Sequence, residues 1–188
     1  MRLILTRHGK TIENEQGIMM GHLPGHLSEL GKEQAKKLAL RLKDEKIDFI
    51  YSSDLARAVD TAKEVARNHS DISLYFITDL RERNLGDLQG RLSSEVKVPE
   101  GNMFMEIPNG ESLYELLMRA QNFLKTIYGK HKNETVLLVS HNGIQKAIIC
   151  AIEGKNLNDL MSMPNLGNAS VTIYEISNGF YRKVVFDS

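Results

Sequence analysis

One cysteine, four prolines and no tryptophan stand in a chain of 188 residues. A lone Cys150 closes no intrachain disulfide, so nothing in the sequence asks for an oxidising compartment. No repeat or low-complexity tract is visible. An excess of charge of one sign is missing too, because 24 Lys and Arg balance 24 Asp and Glu. A dedicated binder of nucleic acid or of a membrane surface would show a basic excess. No stretch approaches the roughly 20 apolar residues of a membrane span. The opening MRLILTRHGK is too short in apolar residues for a secretory leader, since Arg7 and His8 end the run. These absences predict a soluble, cytoplasmic protein with one domain over 1–188 and no nucleic-acid or membrane partner. They leave the oligomeric state open, a homodimer included.

The hydrophobic share, 41%, and the charged share, 26%, match an ordinary chain with a buried core. Leu3 to Thr6 reads as a buried strand end, Phe49 to Tyr51 and Ser73 to Ile77 as short strands, and Val136 to Val139 as a fully buried one. Helical spacing recurs over 28–43, through Leu55, Ala58, Val59, Ala62 and Val65, from Leu116 to Ile127, and over about 143–152. Ser53-Asp54 reads as the opening of the second helix, and Ser112 with Glu115 as a capping box for the third. Asn178-Gly179 between two apolar runs predicts a hairpin. Strands alternating with helices imply a three-layer α/β/α sandwich with a mainly parallel central sheet and a C-terminal hairpin strand at an edge. The aperiodic stretch at about 84–111, with four glycines and two of the prolines, is expected to be a lid-like insertion.

Ligand sites of such sheets lie at the carboxyl ends of strands. Arg7-His8-Gly9 follows the first strand, Ser52-Ser53-Asp54 with Arg57 the second, Arg81-Glu82-Arg83 the third, and Ser140-His141 the fourth. Each piece has a plain alternative. Arg57 alone would be a solvated helix residue, Glu82 a salt-bridge partner of its neighbours, and His141 a satisfied core histidine. Their joint position after strands of one sheet argues otherwise. Guanidinium groups match a phosphate dianion, a histidine with one nitrogen held can attack phosphorus, and a carboxylic acid can protonate the leaving oxygen.

Four blocks in order, LTRHGKTIEN, YSSDLARAVDTA, LRERNLGDLQG and VLLVSHNGIQKAI, resemble the histidine phosphatase superfamily, also called phosphoglycerate mutase-like. GHLPGHLSELGKEQA adds the loop and helix start that follow the first block. The resemblance implies His8 as the nucleophile and Glu82 as general acid and then general base. Arg7, Arg57 and a cationic His141 would bind the phosphoryl group. Asn14, Thr11, Gly21 and Asn142 would contact substrate or shape its pocket. It implies no metal and no cofactor. Lys10, Asn142 and Gly25-His26 depart from the family's usual residues.

Two reactions fit the resemblance, hydrolysis of a small phosphomonoester and phosphoryl movement within a phosphoglycerate. A mutase needs extra cations to keep a bisphosphorylated intermediate. The insertion offers Arg91 and Lys97 against Asp87, Glu95, Glu100, Glu106 and Glu111, which favours the phosphatase. A non-catalytic phospho-ligand module and a metal site from His8, His22, His26 and His141 are the other readings. Pro24 and Gly25 between His22 and His26 speak against the metal site.

Overall fold

A computed structural model describes residues 1–69, 71–96 and 106–186. Six strands, β1 (Arg2–Arg7), β2 (Phe49–Ser53), β3 (Leu74–Ile77), β4 (Thr135–Ser140), β5 (Val171–Ser177) and β6 (Phe180–Phe186), form one sheet in the order β3-β2-β4-β1-β5-β6. The first four run parallel, β5 runs against β1, and β6 runs against β5 and so in the direction of the first four. Around the sheet lie α1 (Ile12–Gln16), α2 (Glu29–Leu42), α3 (Ala56–Ala66), α4 (Leu113–Lys130), α5 (Asn142–Glu153) and α6 (Leu157–Ser162).

The strand sequences explain the layers. β1 and β4 are apolar on both faces because helices cover both. Leu3, Leu5, Val136 and Leu138 point to one side, where Leu116, Phe123 and Ile148 of α4 and α5 pack. Ile4, Leu137 and Val139 point to the other and meet Leu38, Leu42, Ala58 and Val65 of α2 and α3. The expected three-layer sandwich is therefore present. Asn178 and Gly179 turn the edge hairpin with φ of 47° and 81°, the left-handed pair that matches strand twist.

Of the two helix openings read from the sequence, the capping box of α4 forms and the opening of α3 does not. Ser28 caps α2, and Ser112 with Glu115 forms the capping box of α4. Ser53-Asp54 does not open α3, whose N-cap is Leu55 with no side-chain bond. Ser53 is drawn into the site instead. In the 84–111 stretch, a 3₁₀ turn (Gly86–Leu88) and a bridge from Ile18 to Leu92 are described, while Lys97 and Glu100 lie outside the described residues. Among the described residues no helix is long and apolar enough to cross a membrane.

Candidate active site

Parallel pairing puts Arg7 opposite Ser140, and the His8 amide donates to the Ser140 carbonyl at 2.9 Å. The two chains leave the sheet together, so the rings of His8 and His141 lie 5.1 Å apart. His8 Nδ1–H donates to the Gly9 carbonyl at 2.7 Å, which fixes the tautomer and leaves the Nε2 lone pair free. Gly9 is itself held on both sides. Its amide donates to Thr61 Oγ1 at 3.1 Å, and an added Cβ would come within 2.4 Å of the Gly31 carbonyl. Burial, then the charges of Arg57 and Arg7, push the His8 imidazole well below its ordinary pKa. A neutral imidazole with one nitrogen held is a nucleophile.

Arg57, from the first turn of α3, is 2% exposed. Its Nη1 and Nη2 donate to the carbonyls of Leu23 and Gly21 at 2.9 and 2.8 Å, and Nε donates to His141 Nδ1 at 3.2 Å. Burial lowers its pKa to about 10, with Glu82 and Glu13 pulling the other way, so it stays charged at neutral pH. Arg7 gives Nη1 to the Leu166 carbonyl, while its buried Nε has no partner. Among the described residues this guanidinium N–H is uncommitted and is the donor an anion would satisfy.

His141 corrects one expectation. The resemblance implied a cation, but Nδ1 accepts from Arg57 and Nε2–H donates to Ser53 Oγ at 2.8 Å. That pattern belongs to the neutral ring. Burial and then the Arg57 charge push its pKa well down.

Glu82 approaches from the segment after β3 and sits on the N-terminus of α5. Oε1 accepts from the amides of Arg83 (2.9 Å) and Ile144 (3.3 Å), and Oε2 from that of Gly143 (3.1 Å). Helix amides and the positive end of the helix dipole favour a carboxyl group there. Gly143 makes room, since a Cβ on it would lie 2.4 Å from Glu82 Oε1. The main chain around Glu82 is also clamped. His22 Nε2 bonds the Glu82 carbonyl at 2.7 Å, and Arg119 of α4 reaches the carbonyls of Asp79, Arg81 and Glu82 while its Nε and Nη2 hold Glu111.

These groups border a cavity of about 580 Å³ whose wall includes Arg7, His8, Arg57, Glu82, Asn14 and Gly21. His141 stands behind it, fully buried. Asn14 accepts at Oδ1 from the Thr11 amide, which leaves its Nδ2 as the donor for the cavity. Gly21 takes φ of +50° and turns its carbonyl to Arg57. Asn142 also borders the cavity, but its amide group is spent on Asn165 and Leu166, the residue whose carbonyl holds Arg7. Thr11 is not brought to the wall. It is fully buried and its hydroxyl caps α1, so its contact is with the helix rather than with a ligand. Arg81 turns away to a two-point pair with Asp54.

Sequence reasoning missed Ser53, Thr61, Gly143 and Arg119. Ser53 and Thr61 stood within the quoted YSSDLARAVDTA block, and Gly143 within VLLVSHNGIQKAI; Arg119 carried no local signal, because its partners are main-chain oxygens about 40 residues away. No three of His, Cys, Asp or Glu gather as a metal ion would need among the described residues.

The model of the histidine phosphatase superfamily (branch 1) matches residues 3–187. A metal-independent phosphoserine phosphatase of Arabidopsis thaliana is 35% identical over 99% of this chain and 79% of its own length. Phosphoserine phosphatase 1 of Hydrogenobacter thermophilus is 36% identical over 92% of this chain and 85% of its own. The solved structure of Bacillus stearothermophilus YhfR superposes with a TM-score of 0.89 at 31% identity, covering 98% of this chain and 95% of that one. Sequence, sheet order and the convergence of two histidines, two arginines and a glutamate at one sheet end agree, and the chain belongs to the histidine phosphatase superfamily, branch 1.

Proposed function

We propose that the protein hydrolyses a small phosphomonoester through a phosphohistidine on His8, with phosphoserine, the substrate named for two relatives, as a leading member of the substrate class. The observation that carries this reading is the free Nε2 of a buried, tautomer-locked His8 beside the unpartnered Nε of Arg7. The phosphoryl oxygens take Arg7, Arg57 and Asn14 Nδ2. His141 stays neutral behind Arg57, with Nδ1 accepting from Arg57 Nε and Nε2–H held by Ser53, and so keeps the guanidinium in place. Nε2 of His8 then bonds to phosphorus as the P–O bond to the alcohol breaks. Glu82 gives its proton to the departing oxygen, from Oε2, which carries one amide donor against two on Oε1. In the second step a water oxygen bonds to phosphorus, the P–N bond breaks, and Glu82 takes the water proton. Fixed cations supply the charge stabilisation throughout.

Phosphate release from a panel of phosphomonoesters, with 3-phosphoglycerate isomerisation followed alongside, tests this. Hydrolysis should survive a metal chelator, and quenched enzyme should carry an acid-labile, base-stable phosphoryl group. A fully active His8→Ala variant would overturn the mechanism, and isomerisation outrunning phosphate release would make the protein a mutase.

A further inference from the structure

Two cations on the cavity wall, Arg83 and Lys146, have no work in the mechanism. Lys146 lies three residues after Gly143 and four after Asn142 on α5, so it shares their helix face, and it borders the same cavity. It is half-buried. The guanidinium groups around the site are all tied to main-chain oxygens: Arg7 to Leu166, Arg57 to Gly21 and Leu23, Arg83 to Glu111. Some lysines pair with carboxylates, as Lys32 and Lys36 of α2 do with Glu29 and Glu33. The Lys146 ammonium has neither kind of partner among the described residues. Burial accordingly pulls its pKa down, with Cys150 and Glu82 acting in the opposite sense. A partly desolvated ammonium without a counter-ion is an unfavourable arrangement that an incoming anion corrects.

Geometry says which anion. Glu82 must touch the leaving oxygen, and its carboxyl group rests on the amides of Gly143 and Ile144, the turn of α5 just before Lys146. Whatever is bonded to the leaving oxygen therefore lies toward the α5 side of the cavity, the wall that Lys146 also borders. Around it the wall is apolar, with Leu113, Leu116, Leu160 and Met161. We infer that Lys146 is a specificity-determining residue that binds a carboxylate on the alcohol part of the substrate, so that the substrate class is a phosphorylated hydroxy acid. This inference rests on the phosphatase reading above.

Matched substrate pairs isolate the carboxylate: 3-phosphoglycerate against glycerol 3-phosphate, and phosphoserine against phosphoethanolamine. The kcat/KM ratio within each pair is measured for the native chain, Lys146→Met and Lys146→Arg. A charge-assisted bond corresponds to a preference of roughly 10- to 100-fold for the carboxylate member. Lys146→Met should erase that ratio through KM, and Lys146→Arg should keep most of it. A ratio near unity in the native chain, or one that Lys146→Met leaves intact, overturns the assignment while leaving the phosphatase standing. Calorimetric titration of the same pairs into His8→Ala protein gives the ratio as Kd. It therefore tests Lys146 even if no phosphomonoester is turned over, an outcome that would sink the phosphatase reading separately.

Discussion

The two ends of the cavity are built differently. At the phosphoryl end, His8, Arg57 and His141 are at most 3% exposed, and each is fixed by bonds that run back to the sheet, to α3 or to the loop at Gly21. At the leaving-group end, Glu82 hangs from a segment without regular structure, Lys146 has no ion-pair partner among the described residues, and the wall includes leucine and methionine. A fixed end suits the one group every substrate shares, because donors already in place cost no reorganisation when charge develops. A sparsely committed end suits the part that varies. On the proposed reading, the reaction type resides in strand ends and the choice of substrate in α5 and the segments facing it.

The largest effect should come from breaking the fixed end. Arg57→Lys keeps the charge and loses the fork that reaches Gly21, Leu23 and His141 together. We expect kcat/KM to fall by roughly 100- to 1000-fold. The fall should be the same for an alkyl phosphate and for p-nitrophenyl phosphate, since the shared group is affected. A loss confined to one of them would erase the division between the ends.

Gly143→Ala attacks the other end. The new Cβ would meet Glu82 Oε1 at 2.4 Å, so the acid must move. A displaced general acid should cost on the order of 100-fold with an alkyl phosphate. It should cost much less with p-nitrophenyl phosphate, whose leaving group departs without a proton. Arg119→Met should show the same leaving-group dependence at about a tenth of the size, because it loosens the carbonyls around Glu82 rather than striking the carboxyl group. Equal losses on both substrates would make Arg119 a merely structural residue.

The same division decides what could be read from the sequence. His8, Arg57 and His141 follow or sit one turn beyond apolar runs, so finding the strands found them, and the sheet rule brought them together. The capping boxes and the Asn178-Gly179 turn were legible because their chemistry is local. Glu82 was found by its place after the third strand, but its seat on the α5 amides was not, as that depends on a crossing between the segment after β3 and α5 that no spacing encodes. Thr11 shows the converse. Three residues after His8, it was implied by the family resemblance to shape the pocket, whereas its hydroxyl is used to start α1. Short α1 and α6 escaped notice because neither is long enough to show a period.

The smallest effect concerns stability rather than rate, and it again separates the ends. His8 and His141 both have pKa values pushed well below 6.5 in the folded protein, by burial before all else. Below pH 6.5 the unfolded chain therefore binds protons that the folded chain refuses, and stability falls as pH falls. The stabilising contribution is complete above pH 6.5 and fades toward the folded values. Its slope approaches about 1.4 kcal/mol per pH unit for each histidine. The lowered carboxyl groups Asp54, Glu115 and Glu153 act in the same direction only nearer pH 4, where their unfolded counterparts titrate. Denaturant midpoints of ligand-free protein between pH 5 and 7.5 should therefore decline on the acid side with both histidines contributing. His8→Asn should remove about half of that decline, and Lys146→Met none of it, because a lysine stays protonated in both states across this window. A flat native profile would mean that the phosphoryl end is wet and its histidines titrate as they do in the unfolded chain, which would remove the physical basis for a neutral nucleophile among arginines.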